Sequence, residues 1–156
     1  MKYFTYGSNM DQNDLNNWCD KKGYPRIIIS NPKVAELKNY KLDFNYYSSG
    51  RGGGAANIIE VEGESVFGLV YDLNDTDYKH ICIKEGAPNF YKEIDVIVFV
   101  SGENLSVKTF KVVKEREKPT FQVPKRDYRD LILNAAIKYK FPDEYVKMIR
   151  CFDVKE

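Results

Sequence analysis

Apolar and polar positions alternate from Lys2 to Tyr6 in a run rich in aromatic residues, which predicts a strand ending at Gly7. Asp11 then opens a short helix to about Cys19, with Leu15 and Trp18 three apart on its inner face. From Arg26 to Asn45 the apolar groups Ile27 to Ile29, Val34 to Leu37 and Tyr40 to Phe44 are separated by Asn31-Pro32 and Lys38-Asn39, predicting two or three short strands. Residues 48–54, Ser-Ser-Gly-Arg-Gly-Gly-Gly, are the most conformationally free piece of the chain. Strands are expected from Ala56 to Val61 and from Val66 to Leu73, with Glu62-Gly63-Glu64 as the turn of a hairpin between them. Asn74 or Asp75 caps a helix running to Lys84, and Gly86 is placed to end it. Two more strands, 91–100 and 105–113, flank the turn Ser101-Gly102-Glu103-Asn104, and Lys114 to Lys118 form a charged connector. From Pro124 the period becomes helical, with Leu131, Ile132, Ala135, Ala136 and Tyr139 on one face. Phe141-Pro142 breaks it, and a last helix from about Asp143 to Cys151 turns Tyr145, Met148 and Ile149 inward. The pattern is that of one α+β domain over 1–156: a small, strongly curved mixed β-sheet or barrel with flanking helices.

Composition narrows the function classes. The 156 residues fit one domain, and 43% hydrophobic content with 12 Tyr and 9 Phe is enough to fill its interior, which excludes disorder as a default. With 24 Lys+Arg against 23 Asp+Glu, the net charge of +1 lacks the footprint of a protein that lives on phosphate backbones or anionic lipid, so neither nucleic acid nor membrane is an expected partner. The longest apolar run, Val96 to Val100, falls far short of the ~20 residues a membrane span needs. No apolar leader region develops after Met1, so a cytoplasmic location is expected. Cys19, Cys82 and Cys151 are odd in number and scattered, which fits reduced, partly buried thiols. His80 is the only histidine, and no metal site is expected; acid-base chemistry would fall to a carboxylate.

Four constellations could carry chemistry. Tyr6-Gly7-Ser8-Asn9-Met10 is a glycine-containing junction between strand and helix, which can aim backbone N–H groups at a carboxylate or a developing oxyanion; an ordinary strand-to-helix turn has the same composition. Glu85, in the last turn of its helix, meets the negative end of the helix dipole, which pushes a carboxyl toward protonation; a solvated surface glutamate is the alternative. Gly52-Gly53-Gly54-Ala55-Ala56 leaves room for a ligand to touch the backbone, or is simply a loose loop. Phe90, Tyr91 and Tyr128 offer phenols that can orient a polar substrate, although core packing accounts for most such residues. Arg51 with Gly52 to Gly54 has the look of an RGG segment in a single copy.

In order along the chain these residues resemble the γ-glutamylcyclotransferase family, part of the AIG2-like superfamily. Tyr3 to Met10 looks like its N-terminal aromatic strand ending in Tyr-Gly-Ser-Asn, and Tyr40 to Phe44 like the strand before its glycine loop. Gly53 to Ile58 resembles the Gly-Gly-x-Ala-x-Ile segment, and Val66 to Tyr71 the Val-Trp-Gly-Val-Val-Trp strand. Lys84-Glu85-Gly86 followed by Tyr91 falls at the Glu-Gly catalytic turn, and Tyr128 through Pro142 to Tyr145 resembles the C-terminal helix pair. The family often has Leu-Asp just upstream of the Glu-Gly turn; this chain has Ile81-Cys82-Ile83-Lys84.

The resemblance implies a cofactor-free cyclisation in which the α-amine of a γ-glutamyl amide attacks its own γ-carbonyl, giving 5-oxoproline and a free amine. It implies Glu85 as the proton carrier, with Tyr6, Gly7, Ser8, Asn9, Met10, Gly53, Gly54, Tyr91 and Tyr128 around a small γ-glutamyl substrate, in a monomer or homodimer. Alternatives are removal of a γ-glutamyl protecting group in a biosynthetic pathway, and a non-catalytic module that binds γ-glutamyl compounds or, through Arg51, single-stranded nucleic acid.

Overall fold

The computed structural model describes all 156 residues. The apolar groups between residues 33 and 73 fold as two long strands, where the pattern predicted four short ones, and Ile27 to Ile29 are irregular rather than a strand. After β1 (Lys2–Thr5) and α1 (Gln12–Lys22) come β2 (Lys33–Ser48) and β3 (Gly53–Asp72), then α2 (Asp75–Lys84), β4 (Tyr91–Val100), β5 (Glu103–Val112), α3 (Arg126–Lys138) and α4 (Asp143–Cys151). The five strands close into a barrel in the order β1-β3-β2-β4-β5. Neighbours are antiparallel except β1 and β5, which meet in parallel at Tyr3 and Lys108, so the barrel is mixed.

Glu62-Gly63-Glu64 is not a hairpin turn. The register of β2 against β3 steps from Lys38 opposite Ser65 to Tyr40 opposite Glu60, so residues 61–64 bulge out opposite Asn39 alone. Asn39 and Gly63 both take positive φ, 65° and 86°, and the Gly63 N–H donates to Asn39 Oδ1 at 3.1 Å. The local chemistry is that of a turn, but both flanks pair with the same continuous partner. Such a bulge increases coiling, which a 20-residue strand needs to bend around a small barrel. The true hairpin lies between β2 and β3, where Gly52 at φ 69° donates to the Ser48 carbonyl at 2.9 Å and the Arg51 N–H donates to Ser48 Oγ at 3.2 Å. The glycine-rich segment is therefore an ordered turn.

Capping follows the sequence closely. Asp11 accepts from the Asp14 N–H at the start of α1, and Asn74 accepts from the Asp77 N–H at the start of α2. Gly86, at φ 64°, ends α2 just past Glu85, whose N–H still bonds back to the Ile81 carbonyl. That termination fixes Glu85 at the helix end rather than on its side. The core combines buried strand residues, including Phe4, Ile58, Leu69 and Phe110, with the inner faces of α1 (Leu15, Cys19), α3 (Ile132, Ala136) and α4 (Tyr145, Ile149). Cys82 is half-buried, Cys151 is exposed rather than partly buried, and all three cysteines are free. No helix is long and apolar enough to cross a membrane.

Gly54 donates to the Val123 carbonyl at 3.0 Å, and a Cβ on it would overlap the Gln122 carbonyl oxygen. Gly63 has nothing within reach of a Cβ, only its left-handed backbone. Gly54→Ala should therefore cost about 3 kcal/mol, the upper end of overpacking, and Gly63→Ala about 1 kcal/mol, measured by urea denaturation.

Candidate active site

The site lies where the end of β1, the end of α2 and the start of α3 meet. After β1 the chain enters a single 3-10 turn, Ser8–Met10, whose Gly7 carbonyl accepts from the Met10 N–H at 3.1 Å. The Gly7 N–H has no acceptor within the chain, and the first N–H groups of any helical turn have none inside it, so this junction keeps donors free. Tyr6 is locked by donating its hydroxyl to the Phe110 carbonyl at 2.6 Å. Tyr71 from β3 holds the turn from beneath, donating to the Asn9 carbonyl at 2.8 Å.

Glu85 reaches this turn from the end of α2. Its Oε1 accepts from Asn9 Nδ2 at 2.7 Å, and the same Asn9 nitrogen donates to the Tyr3 hydroxyl at 2.9 Å. Asn9 itself is 1% exposed. As a whole residue Glu85 is half-buried, but its carboxyl is surrounded by protein, and burial pushes it above the ordinary value of 4.5. The positive charges of Lys84 and Arg51 and the Asn9 hydrogen bond work against that rise without cancelling it.

Two tyrosines grip the main chain of one residue opposite, on either side of its Cα. Tyr91, at the start of β4, donates to the Ala56 carbonyl at 2.7 Å, and Tyr128, in the first turn of α3, accepts from the Ala56 N–H at 3.0 Å. Because Tyr128 accepts there, its own proton is left for another acceptor. Burial pushes the Tyr128 phenol up to about 12 and the Tyr91 phenol well above its ordinary value, so both are neutral hydrogen-bonding groups.

An inner cavity of about 30 Å³ is lined by Tyr6, Gly7, Ser8, Glu85, Tyr91 and Tyr128 among others. It adjoins an outer cavity of about 490 Å³, with Ser8, Glu85, Tyr91 and Tyr128 on the boundary. Asn9 stands behind the wall, in contact with Glu85. Met10 is buried in the core and lines neither cavity. Gly53 and Gly54 line neither as well: a Cβ on Gly53 would sit 2.9 Å from the Val123 carbonyl oxygen, so the open backbone beside these glycines is filled by residues 122–125. The glycine-rich turn reaches the outer cavity one step earlier, through Ser48 to Arg51, and Phe90 lines it too. His80 stacks flat on Tyr24 at 3.9 Å between ring centres, away from both cavities. No three His, Cys, Asp or Glu side chains are grouped as metal ligands would be.

Asp14, and the bonds that join it to Arg51 and Lys84, were not singled out in the sequence. Asp14 of α1 takes a fork from Arg51 at 2.8 and 2.9 Å on its two oxygens and a hydrogen bond from Lys84 at 3.1 Å. Arg51 also lies over the Tyr128 ring, at 5.1 Å. Burial alone would raise the Asp14 carboxyl, but the Arg51 fork and Lys84 more than offset it, and the group sits below its ordinary range. Helix position disguised these residues: an acid in a first turn and a lysine in a last turn each satisfy the helix dipole without any tertiary partner. Asp14→Asn strands two cations, one of them on a side chain 6% exposed, and should lower stability by about 3 kcal/mol. The exposed Lys2–Asp72 pair should cost less than about 1 kcal/mol when broken by Asp72→Asn, in the same denaturation experiment.

The model of the AIG2-like family matches residues 65–149. The chain is 27% identical over 162 residues to gamma-glutamylcyclotransferase from Bos taurus, spanning 97% of this chain and 78% of that protein. It is 25% identical over 165 residues to gamma-glutamylcyclotransferase from Mus musculus, spanning 99% and 79%. A solved structure described as "Gamma-glutamyl cyclotransferase" superposes with a TM-score of 0.80 at 22% identity, covering 99% of this chain and 89% of that one, a likeness of fold.

Proposed function

The chain belongs to the AIG2-like family, and on that basis we propose that it is a cyclotransferase releasing 5-oxoproline from a γ-glutamyl amide, with Glu85 as its proton carrier. The observation that carries the reading is the shared wall: the Glu85 carboxyl, the Gly7–Ser8 turn and the Tyr128 hydroxyl line one cavity of about 30 Å³. That space suits a reacting carbonyl, and the outer cavity of about 490 Å³ has room for the rest of the substrate and the departing amine.

Nucleophile and electrophile arrive in one molecule, so orientation dominates; well-held intramolecular reactions reach effective molarities of order 10⁵ M or more. The ionised Glu85 takes a proton from the α-ammonium. The freed nitrogen lone pair adds to the γ-carbonyl carbon, forming the ring C–N bond and an oxyanion facing the backbone N–H groups of the Gly7–Ser8 turn. The intermediate collapses with cleavage of the original amide C–N bond as protonated Glu85 donates to the leaving nitrogen. A second proton passes from the ring nitrogen to the departing amine through solvent, so none is consumed overall. The raised Glu85 value brings the carboxyl closer to both the acid and the base it must be.

Incubation with a panel of γ-glutamyl dipeptides, γ-glutamyl amines and γ-glutamyl groups on carriers, with 5-oxoproline detected by mass spectrometry, tests the reading and identifies the leaving group. Glu85→Gln should reduce 5-oxoproline formation by about 10² to 10⁴-fold, while an active Glu85→Gln enzyme would assign the proton transfers elsewhere.

Since the base must be ionised, kcat/KM should fall as pH drops through an apparent value above 4.5. Stability runs the opposite way. A carboxyl whose value is raised by folding holds its proton more tightly in the folded state, so its contribution is complete below 4.5 and is lost as pH rises through the folded value. Glu85→Gln should therefore melt at or above the wild-type temperature at pH 7, with the difference vanishing below pH 4.5, as followed by circular dichroism.

A further inference from the structure

Lys84 entered the sequence analysis only as the neighbour of Glu85, yet it is the most enclosed cation of the site. Its side chain is 6% exposed, and its ammonium donates to Asn9 Oδ1 at 2.8 Å, Asp14 Oδ2 at 3.1 Å and Ser8 Oγ at 3.3 Å. An ammonium has three N–H donors and no acceptor, so these partners use it completely and leave nothing for a substrate. What it controls is the Asn9 side chain. An amide can turn over and exchange its oxygen and nitrogen, but an NH₂ group cannot face an ammonium. The oxygen is therefore held toward Lys84 and the nitrogen toward Tyr3 and Glu85, at 2.9 and 2.7 Å.

We propose that Lys84, anchored by Asp14, is a positioning residue that fixes the orientation of the Asn9 amide, so that Glu85 always meets an N–H and never a lone pair. Asn9 turned the other way would set its carbonyl oxygen against the carboxylate and favour the protonated acid. Lys84 thus keeps Glu85 available as a base while leaving it buried. Its bond to Ser8 Oγ ties the same helix end to the turn that offers the backbone N–H groups.

The other groups facing Glu85 do not duplicate this control. From α2 comes Cys82; from the β2–β3 turn, Arg51; from α1, Asp14; and from the β1, β3, β4 and α3 regions, the phenols of Tyr3, Tyr6, Tyr71, Tyr91 and Tyr128. The tyrosines are all held neutral by burial, and the Arg51 fork is occupied by both oxygens of Asp14. Among the cations only Lys84 touches Asn9.

The inference rests on Glu85 being the proton carrier, but its test reads Glu85 without substrate. Protein carrying ¹³C-carboxyl glutamate is titrated by NMR, with the Glu85 resonance assigned by its absence from Glu85→Gln. Lys84→Met should raise the midpoint by about one pH unit. Lys84→Gln, which retains an N–H able to face Asn9 Oδ1, should raise it by less than half as much. In an Asn9→Ala background the Lys84→Met shift should shrink by at least half, because the two residues act in series. Should Lys84→Met fail to fold, Lys84→Gln with and without Asn9→Ala makes the same comparison, its smaller shift vanishing in the Asn9→Ala background. An unmoved midpoint, equal shifts for Lys84→Met and Lys84→Gln, or a shift of undiminished size without Asn9 would each overturn the inference. A purely structural lysine would alter melting and leave the midpoint in place. Absence of 5-oxoproline formation by every protein, wild type included, would count against the cyclotransferase reading and leave the titration result standing.

Discussion

A carboxylate enclosed by protein has to be hydrogen-bonded, paired or protonated, and at Glu85 a hydrogen bond and nearby positive charge work against the cost of burial. One hydrogen bond comes from Asn9, two cations stand close by, and burial still holds the carboxyl above its ordinary value. The cations need company of their own, and Asp14 supplies it to both Lys84 and Arg51. The result is a connected series of polar groups drawn from α1, α2, the β1–α1 junction and the β2–β3 turn. Removing any member leaves a partner uncompensated in a poorly hydrated place, so the site is held together by the same cost that makes buried charge expensive elsewhere.

The barrel serves this series by bringing distant residues to one end. Glu85 and Asn9 are separated by 76 positions in the chain, Tyr128 and Ala56 by 72. Helix termination places the acid: the left-handed Gly86 stops α2 with Glu85 at its end, where the carboxyl lines the cavity. Strand pairing places the opposing wall, because Ala56 belongs to β3 while the tyrosines that fix it come from β4 and α3.

Much of this was legible from one-dimensional pattern. The bounds of β4 and α4, the caps of α1 and α2, the position of Glu85 at a helix end, and the convergence of Tyr6, Gly7, Ser8, Tyr91 and Tyr128 all follow from periodicity, capping chemistry and resemblance. What escaped has a common cause. Glu62-Gly63-Glu64 has the composition of a tight turn, and whether its flanks pair with each other or with a third strand is decided 24 residues away at Asn39. Gly53 and Gly54 read as open backbone because nothing local announces that residues 122–125 will lie against them. Asp14 and Lys84 each satisfy a helix end, so a local rule explains them completely and conceals the bond between them. Where a nearby rule is sufficient, the sequence carries no trace of the distant one.

Strand β3 contributes to both sides of the cavity: Ala56, near one end, is the residue whose main chain Tyr91 and Tyr128 hold, and Tyr71, near the other, supports the turn carrying Asn9. The spacing across the pocket is therefore written into a single uninterrupted ribbon of backbone. Both halves are thereby tied to the longest strand of the barrel, which places the chemistry on its main-chain framework rather than on a loop that can open and reseal by itself.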